Sequence, residues 1–136
     1  MANVYNFFKF LEDKTGREIP TMAYILYNQE AIPEEGVYVD NLYIAGKRHI
    51  NYLPNNMIVG SFASLFNSSI KKLPDNLTIG KGLDISYTTI HTIPQNLKIG
   101  TYLVCKDTPL GERYSAKEIR KMITDKGGYV KGDIIT

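Results

Sequence analysis

The chain is 136 residues long, about one domain by size, and its 43% hydrophobic and 22% charged content excludes a disordered polymer. Sixteen basic against fourteen acidic side chains leave a net charge of +2, spread along the chain, which excludes the concentrated basic face of a dedicated nucleic-acid binder. A single cysteine excludes an intramolecular disulfide and any multi-thiolate zinc site.

The start, Met1-Ala2-Asn3-Val4-Tyr5, has neither the basic region nor the apolar stretch of a signal peptide. No run approaches the length of a membrane-spanning helix. The expectation is a cytoplasmic protein that enters no membrane. Val4, Phe7, Phe8 and Leu11 recur at i, i+3, i+4, i+7 and predict an amphipathic helix, with Asn3 as N-cap and Gly16 just past its end. After Ile19-Pro20, Thr21 caps a second predicted helix over Met22–Asn28, although Tyr24–Tyr27 also suits a strand. Residues 1–31 thus read as an N-terminal helical cap.

Residues 32–110 repeat. Leu53-Pro54, Leu73-Pro74 and Ile93-Pro94 recur at intervals of twenty, and Ile32-Pro33 precedes them by twenty-one. Counted from Leu73, apolar residues follow at Leu77, Ile79, Leu83, Ile85 and Ile90. The next unit repeats this with Leu97, Ile99, Leu103 and Cys105, then departs at Pro109-Leu110. The preceding unit supplies Met57, Val59, Leu65 and Ile70 but puts Ala63 at an apolar position. Val37, Val39, Leu42, Ile44 and Ile50 fit only with small insertions. Each unit therefore holds two short period-2 stretches, the pattern of half-buried strands. Its Leu-Pro pair enforces extended backbone, because proline fixes φ and restricts the residue before it. Gly80 and Gly100 fall where a coil turns tightly or neighbouring backbones approach. One such coil cannot cover its own apolar side, so consecutive coils stack on a common core. The predicted fold is an α/β solenoid of about four twenty-residue β coils.

Residues 111–136 read as a C-terminal helical cap that completes a single domain over 1–136. Ser115 and Glu118 form a capping-box pair, and Ala116, Ile119, Met122 and Ile123 make one apolar face. Gly127-Gly128 ends that helix, and Tyr129-Val130 with Ile134-Ile135 predicts a short strand or hairpin.

The run Leu83–Pro94, L-x-I-x-x-T-x-I-x-x-I-P, resembles the core segment of a leucine-rich repeat, with Thr88 where that family usually places Asn. Ser68, Thr88 and Thr108 share the position, so hydroxyls must make the buried bonds to backbone that the family makes with Asn. The twenty-residue period resembles the short bacterial class of secreted effectors. The unit also resembles repeats of small bacterial and bacteriophage proteins. The chain has no room for the catalytic domain of an effector ubiquitin ligase. The resemblance implies a leucine-rich-repeat-like fold and an interaction role. In a phage context it implies a binder or inhibitor of a host enzyme or immune factor in the host cytoplasm.

Catalytic chemistry is hard to find in the sequence. Cys105 takes a core position and reads as a small hydrophobe. His49 and His91 have no paired nucleophile or orienting acid in any motif and read as surface residues. Gly80-Lys81-Gly82 lacks the spacing and following helix of a phosphate loop. No cofactor, metal site or enzymatic activity is expected. Strand alternation instead directs attention outward. If Leu83 and Ile85 point in, the outward set includes Tyr43, Phe62, Phe66, Asp84, Tyr102 and Lys106, aromatics framed by charge, as in protein-binding patches. A one-residue slip at Ala63 would instead bury Phe62. The leading expectation is a non-enzymatic protein-interaction module whose partner is a protein. Two alternatives stand beside it. One is nucleic-acid binding through Lys47, Arg48, Lys71 and Lys72, stacked as a small positive patch, with Lys117, Arg120 and Lys121 adding charge on the last helix. The other is self-assembly through open strand edges.

Overall fold

A computed structural model describes residues 5–6, 37–48 and 50–136. The expected helices within 3–16 and 21–28, and His49, lie outside the described residues.

The described chain is a parallel β-solenoid. Two short strands per turn build two ladders. The first sheet orders β1 (Tyr5–Asn6), β2 (Val37–Val39), β4 (Ile58–Val59), β6 (Thr78–Ile79), β8 (Lys98–Ile99) and β10 (Tyr129–Val130). The second orders β3 (Leu42–Tyr43), β5 (Ala63–Ser64), β7 (Leu83–Asp84), β9 (Leu103–Val104) and β11 (Ile134–Ile135). Every pairing is parallel, with Ile58 beside Thr78 beside Lys98, and Ala63 beside Leu83 beside Leu103. Rungs of this kind stack about 4.8 Å apart.

About three turns keep the twenty-residue register, where four were expected. In the first unit Tyr38 pairs with Ile58 at a separation of twenty, but Leu42 pairs with Ala63 at twenty-one, because one residue fewer joins its two strands. The last rung is reached only after two helices, α1 (Pro109–Arg113) and α2 (Ala116–Asp125). The C-terminal strands are not a hairpin: β10 and β11 extend the two parallel ladders by one more rung.

The interior is the column set read from the repeat. Met57, Leu77 and Leu97 are buried, as are Val59, Ile79 and Ile99, Ala63, Leu83 and Leu103, and Leu65, Ile85 and Cys105. Leu53, Leu73 and Ile93 are buried in successive turns. The hydroxyls at the atypical position are buried and satisfied within their own turn: Thr88 Oγ1 donates to Ile85 O at 2.7 Å and Thr108 Oγ1 to Cys105 O at 2.8 Å. Ile90 N in turn donates to Thr88 Oγ1.

Two corners per turn require left-handed backbone. At the first, Asn56, Asn76 and Asn96 have φ of 63°, 59° and 55°. Asparagine tolerates this region better than other side-chain-bearing residues. Their amides form a ladder, Asn76 Nδ2 donating to Asn56 Oδ1 at 2.7 Å and Asn96 Nδ2 to Asn76 Oδ1 at 2.8 Å. The second corner is occupied by Gly46, Asn67, Tyr87 and Asp107.

The capping box at Ser115 and Glu118 forms as expected, and the Ser115 backbone N–H, bonded to the Glu118 carboxylate, holds that carboxyl below its ordinary range. Ile119 and Ile123 are buried in the common core, and Ala116 and Met122 are half-buried against it. The helix over Pro109–Arg113 was not anticipated. Its cue was Thr108 as N-cap with proline in the first turn. Arg120 on α2 donates through Nη1 to Val130 O and through Nη2 to Gly132 O, tying the helix to the connection between β10 and β11. Bonds from a charged donor to otherwise unpaired carbonyls contribute about 1.5–3 kcal/mol. Arg120→Ala is expected to lower unfolding free energy by about 2 kcal/mol, with amide exchange rising first in 129–135. Denaturant titration with residue-resolved hydrogen exchange checks both.

Candidate protein-interaction face

The outer face of the second sheet gathers the residues singled out from alternation. The register sets three outward columns: Asn41, Phe62, Gly82, Tyr102 and Asp133; Tyr43, Ser64, Asp84, Val104 and Ile135; and Phe66, Ser86 and Lys106. The slip considered at Ala63 does not occur. Ala63 is buried at 3% exposure, whereas Tyr43 is 65%, Phe66 40% and Phe62 36% exposed. Lys106 is exposed, and Asp84 and Tyr102 are half-buried.

Local contacts fix these rings. Gly82 lies beneath Tyr102, and a Cβ on Gly82 would come within 3.0 Å of the ring. Glycine here makes room for the tyrosine to lie down across the sheet. Phe62 packs on the same tyrosine with centroids 6.3 Å apart, and Lys81 Nζ sits 5.5 Å from the Phe62 centroid, a cation–π contact. Asp84 accepts from Ser86 N at 2.9 Å, and Ser86 Oγ accepts from Lys106 N at 3.1 Å, so the polar floor between the rings is ordered.

Sequence reasoning missed Tyr87. It has φ of 58° and its ring is 52% exposed. A bulky residue in left-handed backbone carries strain of about 1–3 kcal/mol, and such strain concentrates at functional sites. Tyr87 packs edge-on against Phe66 with centroids 5.1 Å apart. Its hydroxyl pKa is raised by a hydrogen bond to Asp107 and by that carboxylate's charge. The cue was its sequence position: it is the residue matching Asn67 and Asp107 one turn away.

The proposed basic stack does not form. Ser69 N donates to Lys47 O and Lys71 N to Asn51 O, so neither basic pair lies over the other. Lys47 and Arg48 precede Lys71 and Lys72 by twenty-four residues, more than the turn length, so the ladder bonds Lys47 to Ser69 instead. On α2, Arg120 is bound to carbonyls, Lys121 pairs with Asp125 at 2.9 Å, and the neighbouring Lys126 donates to Ile93 O. His91 is exposed.

Cys105 is buried, and its Sγ donates to Ile135 O at 3.5 Å. Burial, with a smaller contribution from Asp84, pushes its thiol up to about 11. The folded state therefore favours the protonated thiol over an unfolded one, which titrates near 8.5. This contribution is fully present below pH ~8.5 and is lost as pH rises through about 11. Native protein at pH 8 is expected to react with a thiol reagent only at the rate of unfolding, and denatured protein at once. Stopped reactions quantified by mass spectrometry check this.

Among the described residues, no group of three His, Cys, Asp or Glu side chains is placed to hold a metal ion, and no helix is long and apolar enough to cross a membrane. Comparison with protein-family models, with curated proteins and with solved structures returns no match.

Proposed function

We propose that the chain is a non-enzymatic protein-interaction module that offers the outer face of its second sheet to a partner protein. One observation carries this: Tyr43, Phe62, Phe66, Tyr87 and Tyr102 stand on one face of a ladder whose backbone is bonded rung to rung. Rigid aromatics lose little conformational freedom on binding and dominate interface energies, while neighbouring charges such as Asp84 and Lys106 supply selectivity. The units are read as leucine-rich-repeat-like, with α2 covering the C-terminal end of the stack. The likeness to phage repeats supports a host enzyme or immune factor as the partner, met in the host cytoplasm and inhibited by occlusion.

The alternatives have less support. Nucleic acid binding wants a continuous basic track, and the described basic residues do not stack into one. Stacking of copies wants an open strand edge, and the Arg120 guanidinium occupies carbonyls at the last rung.

Quantitative affinity capture tests the reading. Wild-type protein should retain a partner that Tyr43→Ala and Phe66→Ala lose, while Lys98→Ala, on the first sheet's outer face, retains it. Equal capture by all four removes this face as the binding surface.

A further inference from the structure

A second site adjoins the aromatic face at Tyr87, on the side of the coil that runs from the second sheet back toward the Leu-Pro corner. Here Arg48 and Asn51 of the irregular first unit, Ser69 and Lys71 of the next, and Tyr87 and Thr89 of the one after line an open groove of about 220 Å3. That is smaller than the roughly 300–1,000 Å3 that holds a drug-sized ligand. The buried hydroxyl residues Ser68 and Thr88 also line it, and no carboxylate does.

No described carboxylate pairs with the cations in this groove. Among the described residues the ion pair at bonding distance is Lys121 with Asp125. Arg48 Nη2 donates to Asn67 Oδ1 at 2.5 Å. That bond restrains the guanidinium and uses one of its five N–H donors. Lys71 is anchored through its backbone, which donates to Asn51 O at 3.0 Å. Two cations of different geometry, a hydroxyl and a side-chain amide, with no carboxylate among the lining residues, match a compact doubly charged oxyanion. Guanidinium supplies directed donors to such an ion and ammonium supplies a point charge.

We propose that this groove binds a single phosphoryl group, free as inorganic phosphate or carried as the terminal phosphate of a small monoester. Arg48 and Lys71 hold its charge, and Asn51 and Thr89 complete its donors. The positive charge does not continue as a polynucleotide would require. The adjoining groove, along the Leu-Pro column, has Lys72 but also Asp75. Arg120 and Lys121 of α2 are engaged elsewhere.

Titration of the isotopically labelled full chain, followed by amide NMR at constant ionic strength, tests the site. One arm uses inorganic phosphate, a second phenyl phosphate, and a third a single-stranded oligonucleotide. Saturable shifts confined to the amides near Arg48, Ser69, Lys71 and Thr89 are expected in the first two arms. Arg48→Gln and Lys71→Gln should each weaken binding about tenfold, and Lys98→Gln should leave it unchanged. Stronger shifts with phenyl phosphate assign the ester as the source, and equal shifts assign the free ion. The proposal is overturned by no saturable response to either phosphate, by an unchanged response in both groove variants, or by oligonucleotide binding whose salt dependence requires more than two phosphates.

Discussion

Gly100→Ala is expected to cost about 3 kcal/mol or more of unfolding free energy and to lower Tm by roughly 10–15 °C. The cause is the close stacking of turns. A Cβ on Gly100 would fall within 3.0 Å of the Gly80 carbonyl, and one on Gly80 within 3.0 Å of the Gly60 carbonyl. In both cases the obstructing atom is backbone in a bonded ladder, Gly80 N donating to Val59 O at 2.8 Å and Gly100 N to Ile79 O at 2.9 Å. No side chain can rotate away, so relief means spreading two rungs and weakening every bond between them. Gly46 provides the contrast. It has φ of +75° but nothing within 4 Å of a Cβ, so Gly46→Asn should be close to neutral. Thermal and urea unfolding of both variants separates a packing requirement from a conformational one.

The second large effect concerns binding. With a partner in hand, Phe62→Ala combined with Tyr102→Ala is expected to weaken association about 100-fold, roughly 3 kcal/mol. The two substitutions should be non-additive. Phe62 and Tyr102 pack on each other across Gly82, so removing either frees the other from its fixed orientation. Their columns are outside the core, so Tm should change far less than in Gly100→Ala. Calorimetric titration of wild type, both single variants and the double variant gives the coupling directly. A loss below about threefold in the double variant would place the binding energy elsewhere.

The architecture was readable because each rung repeats the same requirement. Leu77, Ile79, Leu83 and Ile85 recur as Leu97, Ile99, Leu103 and Cys105, and both sets are buried. Alternation then placed Tyr43, Phe62 and Phe66 outside. What escaped the sequence reading depends on geometry between turns. The Asn56, Asn76 and Asn96 ladder follows from the corner's left-handed backbone, which the recurring Leu-Pro-x-Asn pattern signals only once the corner is known. Tyr87 escaped for the same reason: strict period-2 counting stops at the corner that projects its ring. Lys47 and Arg48 fall late in their unit as Lys71 and Lys72 do in theirs, but the pairs are twenty-four residues apart and a turn of twenty to twenty-one does not stack them. The terminal strands were visible as apolar pairs. That they join two separate ladders is set by pairings thirty-one residues apart in sequence, Tyr129 with Lys98 and Ile134 with Leu103, and by the Arg120 bonds to the connection between them.

The claim beneath all of this is that residues twenty apart lie side by side with their strands running the same way. Through-space proton contacts between backbone amides, assigned in a labelled sample, test it most directly. The account predicts cross-peaks linking Ile79 to Ile99 and Leu83 to Leu103, with the same fixed offset at each neighbouring position. Cross-peaks whose offset shrinks steadily along the strands, as in antiparallel hairpins, would contradict it.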